Sequence, residues 1–227
     1  MTLSTDAERV RLEVYRTLAR DGVLPGNDVL AGRLALAPAT FRAALEEVAA
    51  ARHVILKDGD RIEMAHPFAT RSFRFSVMSD ETLWWGGCAW DSFAIPNLVP
   101  GASPSLVATT CPACETPHAW VVTDAAPPPG SQVAHFLTPM HEIWPDAAHA
   151  CDHQQIFCSE ACVDAWLERT GEPRGYVMSL ATLWRLAAKW YEGRLDSPYS
   201  RREPAEASDY FRSVGLSGPF WGLPDGD

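Results

Sequence analysis

The stretch Gly86–Leu98, GGCAWDSFAIPNL, is the one from which we infer both the centre of the fold and the chemistry of the chain. Two glycines open it and let the backbone approach other groups closely. If the next residues form a short helix, Cys88 and Asp91, three positions apart, lie on one face. We predict that this helix ends before Pro96, because the residue before a proline is disfavoured in the helical conformation.

The composition indicates a globular protein. Of its 227 residues, 47% are hydrophobic, which is enough to bury a core. No run of about 18 apolar residues is present, so no membrane span is expected. The N-terminal segment lacks the apolar centre of a signal peptide, and we therefore expect a cytoplasmic protein.

Charge and cysteine content restrict the function further. A net charge of −10 argues against a general affinity for nucleic acid. Six cysteines in a cytoplasmic chain indicate free thiols or metal ligands rather than a disulfide framework.

The first 70 residues have the pattern of a winged-helix unit, three helices followed by a hairpin. Spacing predicts helices over Asp6–Arg20, over Val29–Leu34 and from Pro38 onward, and a hairpin turn at Asp58-Gly59. Such a unit either binds DNA or serves as a scaffold for the next domain. Nine Lys/Arg against ten Asp/Glu leave it a net charge of −1, whereas a recognition helix needs a basic face. The scaffold interpretation is therefore favoured.

The rest of the chain predicts strands and a few helices. Strand-like patterns occur at residues 73–77, 105–110, 118–123, 133–137 and 175–180, and helices are expected after residue 158 and over 181–195. We predict an α+β fold. Its winged-helix-like N-terminal unit, residues 1–70, packs on a mixed β-sheet core with flanking helices, residues 71–227, which includes a docked C-terminal tail.

Cys158, in the run QIFCSEACVDAW, is the second candidate reactive thiol. It stands at the expected start of a helix, where unpaired N–H groups and the macrodipole favour a thiolate. Two thiolates prefer soft metals, and a carboxyl in an apolar pocket can be held protonated. The candidate catalytic residues are therefore Cys88, Asp91 and Cys158.

Both cysteine-containing segments resemble those of the organomercurial (alkylmercury) lyases. That family has a Cys-x-x-Asp segment followed by an apolar-Pro-x-Leu run, and a later Phe-Cys. The likeness extends in outline to a Leu-Ala-Gly-x-Leu helix start at Leu30, a cysteine near Cys111 and a late strand–helix unit over Gly175–Leu195. The resemblance implies that the protein cleaves carbon–mercury bonds by protonolysis, giving a hydrocarbon and Hg(II).

Carried over by motif, Cys88 and Cys158 would bind mercury and Asp91 would shuttle the proton. One thiol attacks the organomercurial while its proton passes to Asp91, and the second thiol then coordinates the metal. Asp91 protonates the leaving carbon, and low-molecular-weight thiols or a mercuric reductase remove the bound Hg(II). The resemblance implies no organic cofactor, and we expect neither a nucleic-acid nor a membrane partner.

The chain departs from the family at Ser159, where the lyases carry another cysteine, and it adds three cysteines of its own. Cys111-x-x-Cys114 together with Cys158-x-x-x-Cys162 has the spacing of a structural zinc site. The alternative function is therefore a lyase-fold relative that holds zinc on these four cysteines and is recruited to other chemistry or to metal binding.

The two hypotheses compete for Cys158, because a ligand in a closed zinc site is not a free nucleophile. A third class, a winged-helix metal-responsive regulator, is disfavoured by the acidic helices. A compromise leaves Cys158 free while zinc is held by Cys111, Cys114 and Cys162, with His153 or Cys151 as the fourth ligand.

Overall fold

The computed structural model describes residues 3–202 and 204–225, and it confirms the α+β class. The helices are α1 Thr5–Asp21, α2 Asn27–Arg33, α3 Pro38–Ala50, α4 Ala89–Leu98, α5 Ala147–Asp152, α6 Glu160–Thr170, α7 Leu180–Ala188 and α8 Pro204–Ser213. The strands are β1 Ile55–Lys57, β2 Arg61–Ala65, β3 Phe68–Ala69, β4 Phe75–Met78, β5 Leu83–Gly86, β6 Ser105–Thr110, β7 Pro117–Val122, β8 Val133–Phe136, β9 Gln154–Phe157 and β10 Tyr176–Ser179.

The three N-terminal helices form as their sequences predict. The hydroxyl of Ser4 caps α1 by accepting a backbone N–H, and Gly22 ends the helix with a φ of 71° that suits glycine. The inner stripe of α1, Val10, Val14 and Leu18, is completely buried, and the helix packs against α3.

The larger sheet has seven strands in the order β1-β2-β3-β5-β4-β6-β7, and all its pairs are antiparallel. The hairpin predicted at Asp58 supplies β1 and β2 of this sheet. Trp84 of β5 joins it to α1 by donating a hydrogen bond to the carbonyl of Leu18 at 2.9 Å. Because the sheet continues across residue 70, the division into two domains at that point stays a prediction.

The helix α4 lies at the centre of the fold. It contacts β3, β4, β5 and β6 of the larger sheet, β9 of the smaller antiparallel sheet (order β10-β8-β9), and α7. All its residues from Ala89 to Pro96 are buried, as expected for a helix that is packed on every side. The apolar composition of this stretch therefore reflects its central position, and Asp91 is its buried acid.

Several predicted boundaries are wrong. The helix α4 continues through Pro96. The proline costs the helix one backbone hydrogen-bond donor, but burial of Ile95 and Pro96 stabilises this turn and offsets the loss. The helix α7 ends at Ala188 instead of Leu195, and the chain then turns so that Tyr191 faces the interior, where it is 7% exposed. No element is predicted from the sequence for α5, β9 or α8; the segment that contains α5 shows little periodicity, and β9 is only four residues long.

The C-terminal segment docks on the core through aromatic side chains. Phe211 and Trp221 are buried, and the ring of each lies 6.2 Å from that of Trp90 in α4. These contacts cover one side of the central helix. Among the described residues, no helix has the length and apolar character needed to cross a membrane.

Candidate active site

Cys88 and Asp91 come together at the start of α4. Cys88 directly precedes the first turn, and its Sγ accepts a hydrogen bond from the backbone N–H of Asp91 at 3.4 Å. The hydroxyl of Ser92 donates to the carbonyl of Cys88 at 2.6 Å and fixes the same turn. The sulfur thus occupies the position of a helix N-cap, where the macrodipole favours negative charge.

The glycine pair before Cys88 leaves room for these side chains. A Cβ on Gly87 would clash with Oδ2 of Asp91 and with Cε of Met64. A Cβ on Gly86 would clash with the hydroxyl of Ser92. Glycine is required here by close approach, and any side chain at position 87 would displace the carboxyl group.

Each carboxylate oxygen of Asp91 has one hydrogen-bond partner. Nδ1 of His66 lies 2.9 Å from Oδ2, and the hydroxyl of Tyr191 donates to Oδ1 at 2.5 Å. The residues Asp91, Tyr191 and His66 are 1%, 7% and 8% exposed. The acid is therefore held in a fixed orientation away from water.

Cys151 of α5 brings a second thiol to this group. Its Sγ lies 4.0 Å from Nδ1 of His66 and within 4.8 Å of an Asp91 oxygen, and it is close enough to Cys88 for each thiol to shift the pKa of the other. Cys88 and Cys151 are 2% and 4% exposed. We call Cys88, Cys151, Asp91, His66 and Tyr191 the thiol–carboxylate cluster.

The charges in this cluster depend on one another. Burial opposes a charge on His66, but the Asp91 carboxylate and the Cys151 sulfur outweigh it and raise the pKa of His66 to about 10. Burial, the hydrogen bond with Cys151 and the Asp91 charge raise the pKa of Cys88 well above its usual range. The hydrogen bond from Cys88, opposed by burial and supported by the His66 charge, lowers the pKa of Cys151. Of the two thiols, Cys88 therefore holds its proton and Cys151 is the better thiolate.

Arg194 contacts two members of the cluster, His66 and Tyr191. This buried guanidinium donates to the carbonyl of His66 at 2.8 Å and to the hydroxyl of Tyr15 at 3.2 Å. It also lies 4.7 Å from the ring centroid of Tyr191. Arg194 thereby ties the two partners of Asp91 to helix α1.

The structure does not bring Cys158 to Cys88 and Asp91. Its sulfur lies 3.5 Å from that of Cys114, and it belongs to a group with Cys111 and Cys162. Cys151 and Cys158 stand at opposite ends of β9, whose four residues span about 13 Å. The two cysteines therefore lie in different parts of the structure. Cys151, not Cys158, is the second thiol near Asp91.

The other members of the thiol–carboxylate cluster cannot be found from local sequence patterns. The sequence places Cys151 only as a possible fourth zinc ligand, and the residues around it have no clear period that would position it near Cys88. His66 carries no local signal, since its partner Asp91 is 25 positions away. One usable signal was present: Cys88 needed a second thiol, and Cys151 was the cysteine that the zinc spacing left unassigned.

Comparison with known proteins identifies the family. The family described as "MerB: Alkylmercury lyase" matches residues 68–192, more than half of the chain. The chain belongs to the alkylmercury lyase family. The resemblance inferred from Gly86–Leu98 is thus confirmed. The matched segment contains Cys88, Asp91, Cys151 and Tyr191 of the thiol–carboxylate cluster.

Solved structures agree with the family assignment. One described as the mercury-bound form of MerB2 superposes with a TM-score of 0.64, covering 86% of this chain and 93% of that one. Its sequence is 16% identical, so the likeness shows the alkylmercury lyase fold alone. No curated protein matches the sequence.

Proposed function

We propose that this protein is an organomercurial lyase that cleaves carbon–mercury bonds by protonolysis. One observation carries the proposal: two thiols, Cys88 and Cys151, share a buried site with the carboxylate of Asp91. Thiolates are ligands for a soft metal, and a carboxyl group beside them can donate a proton to carbon. The family match gives this chemistry its substrate class.

Cys151 makes the first attack. The positive charge of His66 and the hydrogen bond from Cys88 both favour its thiolate. This thiolate displaces the ligand X from R–Hg–X and forms a sulfur–mercury bond. Burial of the site favours this step, since an apolar organomercurial loses little solvation on entering and a thiolate is more reactive when poorly solvated.

Cys88 completes the mercury ligation and supplies the proton. As its sulfur binds mercury, its proton passes to the carboxylate of Asp91, whose backbone N–H already contacts that sulfur. A second thiolate on mercury raises the electron density on carbon. Asp91 then protonates the carbon as the carbon–mercury bond breaks. The net reaction converts R–Hg–X, one thiolate and one thiol into R–H, X⁻ and a dithiolate of Hg(II). Asp91 returns to its starting protonation state.

His66 and Tyr191 position the acid. A carboxylate with one partner on each oxygen cannot rotate freely, so its proton is delivered in one direction. The imidazolium of His66 also offsets the negative charge of Asp91 and of the Cys151 thiolate. Neither residue needs to change its own covalent bonds during the reaction.

Release of Hg(II) requires competing thiols. The dithiolate leaves mercury two-coordinate, and low-molecular-weight thiols or a mercuric reductase exchange with Cys88 and Cys151 to remove it. The side chains of the cluster supply every proton and ligand in the sequence of steps, so the proposal includes no organic cofactor. A reducing compartment such as the cytoplasm keeps such thiols available.

The alternative, a relative of the lyases recruited to other chemistry through zinc, was based on a conflict over Cys158. The proposed reaction uses Cys151 instead, so a metal on the four-cysteine group would leave the lyase residues free. We therefore propose lyase activity as the function, and Cys158 has no role in the mercury chemistry.

The test is turnover of an organomercurial with excess thiol, followed by hydrocarbon release. Wild-type protein is expected to turn over, whereas Cys88→Ser, Cys151→Ser and Asp91→Ala are expected to be inactive while remaining folded. Folded wild-type protein that releases no hydrocarbon would refute the proposal. Activity retained in folded Cys151→Ser would refute the role of that residue.

A further inference from the structure

We propose that Cys111, Cys114, Cys158 and Cys162 bind one structural zinc ion, a site that is separate from the thiol–carboxylate cluster. Their four sulfur atoms all lie within 4.8 Å of one another, and those of Cys114 and Cys158 are 3.5 Å apart. Tetrahedral zinc with bonds of about 2.3 Å places its sulfur ligands roughly 3.8 Å apart. A disulfide would need about 2.05 Å, and all six cysteines are free.

The first pair of ligands is held by a tight turn between β6 and β7. The backbone N–H of Cys111 donates to the carbonyl of Thr116 at 2.9 Å, and the N–H of Glu115 donates back to the carbonyl of Cys111 at 2.9 Å. Glu115 takes a positive φ of 59° to close the turn. The backbone thus aims the thiols of Cys111 and Cys114 to the same side without help from a metal.

The second pair lies where β9 leads into α6. Cys158 follows the last residue of β9, and Cys162 lies in the first turn of α6, where its N–H donates to the carbonyl of Ser159 at 3.1 Å. A guanidinium further along α6, that of Arg169, donates to the carbonyl of Pro112 at 2.7 Å. This contact fixes the helix against the turn that carries the first pair.

The local packing is consistent with a structural metal in this region. Among the described residues, a small second core contains three buried members, Cys111, Phe157 and Val163. Val163 is the one buried residue of the eleven in α6. So little buried apolar surface contributes little stability, and small units of this kind are commonly held by disulfides or a structural metal. A zinc ion would join α6 to the β6–β7 turn.

Access and chemistry also favour zinc. Cys114 is exposed and Cys158 and Cys162 are half-buried, so an ion can enter from solvent. Four thiolates in a closed tetrahedral arrangement are typical of structural zinc and leave no open position for substrate. The inference does not depend on the proposed lyase activity, since the two groups of residues share no member.

The test is metal analysis of protein purified under reducing conditions and never exposed to mercury. We expect one zinc per chain in the wild type and in the Cys88→Ser/Cys151→Ser double variant, which retains the four-cysteine site. We expect none in Cys114→Ser/Cys162→Ser. Removal of zinc by a chelator should lower the melting temperature of the wild type, and added zinc should restore it.

If the Cys114→Ser/Cys162→Ser variant folds poorly, a second measurement that does not use this variant decides the question. Chelator-treated wild type is refilled with Co(II), and we expect the absorption of a tetrahedral cobalt–thiolate centre, both in the wild type and in Cys88→Ser/Cys151→Ser. Wild-type protein that is folded without zinc, and whose melting temperature is unchanged by added zinc, would overturn the proposal. Loss of zinc in the Cys88→Ser/Cys151→Ser variant would also overturn it.

Discussion

His66 and Asp91 form an ion pair at 2.9 Å, with side chains that are 10% and 1% exposed. The pair joins the β2–β3 turn to the central helix, and it places the His66 imidazole beside both the Asp91 carboxyl group and the Cys151 sulfur. A buried pair of this kind is costly to break, because removing one partner leaves the other charge uncompensated.

The first prediction concerns the His66 side chain. We expect His66→Ala to lower the free energy of unfolding by about 3–5 kcal/mol, since the Asp91 carboxylate would keep Tyr191 as its one partner. Urea unfolding measures the change. His141→Ala is the control, because the His141 side chain is 68% exposed and its loss should cost less than about 0.5 kcal/mol. Equal stability of the two variants would contradict the prediction.

Tyr191 is expected to contribute to the rate rather than to substrate binding. Burial, followed by the Asp91 charge, raises the pKa of Tyr191 well above its usual range, so its hydroxyl stays a donor to the acid. A hydrogen bond to a charged group contributes about 1.5–3 kcal/mol, which predicts a roughly 10- to 100-fold lower kcat in Tyr191→Phe. Organomercurial turnover over a range of substrate concentrations should show KM little changed.

Tyr210→Phe is the matched control for that measurement. Its hydroxyl donates to the carbonyl of Leu186 at 2.8 Å and contacts main-chain atoms of Arg185 and Lys189, not a side chain of the thiol–carboxylate cluster. It should lose some stability and keep its kcat. If Tyr191→Phe and Tyr210→Phe were equally active, the hydroxyl of Tyr191 would have no role in positioning Asp91.

The close approach at Gly87 predicts that even a methyl group is harmful there. In Gly87→Ala the new Cβ would clash with Oδ2 of Asp91 and Cε of Met64, so we expect loss of turnover and a destabilisation of about 1–3 kcal/mol. Gly32→Ala is the control, because a Cβ at this helical position meets no atom within 4 Å and should stabilise by about 0.5–1 kcal/mol. Thermal unfolding and hydrocarbon release check both variants, and an active, stable Gly87→Ala would contradict the prediction.

The buried imidazole of His135 is expected to make the free energy of unfolding fall at acid pH. Burial, together with the charges of Arg174 and His153, lowers the pKa of His135 to about 4, and its Nε2 accepts the N–H of Gly175 at 3.2 Å. The folded pKa lies below the unfolded value of about 6.5, so the unfolded chain binds the proton more readily. The resulting stability is complete above about pH 6.5 and is lost as the pH falls toward 4.

The variant His135→Gln tests whether His135 causes this loss of stability at low pH. A glutamine can still accept the Gly175 N–H but does not titrate, so unfolding free energies measured from pH 7 to pH 4 should fall less steeply than in the wild type. His141→Gln, at an exposed position, should keep the wild-type slope. Identical slopes for His135→Gln and the wild type would show that His135 is not responsible.

The sequence was most informative where one local signal determines the structure. Cys88 and Asp91 are three residues apart after a glycine pair, and a helix start brings them together with no contribution from the rest of the chain. The spacing of Cys111 and Cys114 likewise requires a tight turn between two strands. In both cases the relevant contacts lie within a few residues.

The second thiol could not be identified in the same way. Cys151 reaches Cys88 because α5 and β9 fold back on the central helix, and neither element has a clear period. His66 meets Asp91 through the position of the β2–β3 turn in the larger sheet. These contacts depend on tertiary packing, which outweighs local pattern, and the same packing carries α4 through Pro96 against the local preference.

The most direct test compares hydrocarbon release by Cys151→Ser and Cys158→Ser, each measured on folded protein with an organomercurial and excess thiol. The proposed mechanism predicts no turnover in Cys151→Ser, because the thiolate that first binds mercury is missing. It predicts turnover in folded Cys158→Ser, because that sulfur lies with Cys114 and away from Asp91. Turnover by Cys151→Ser together with an inactive but folded Cys158→Ser would contradict the mechanism.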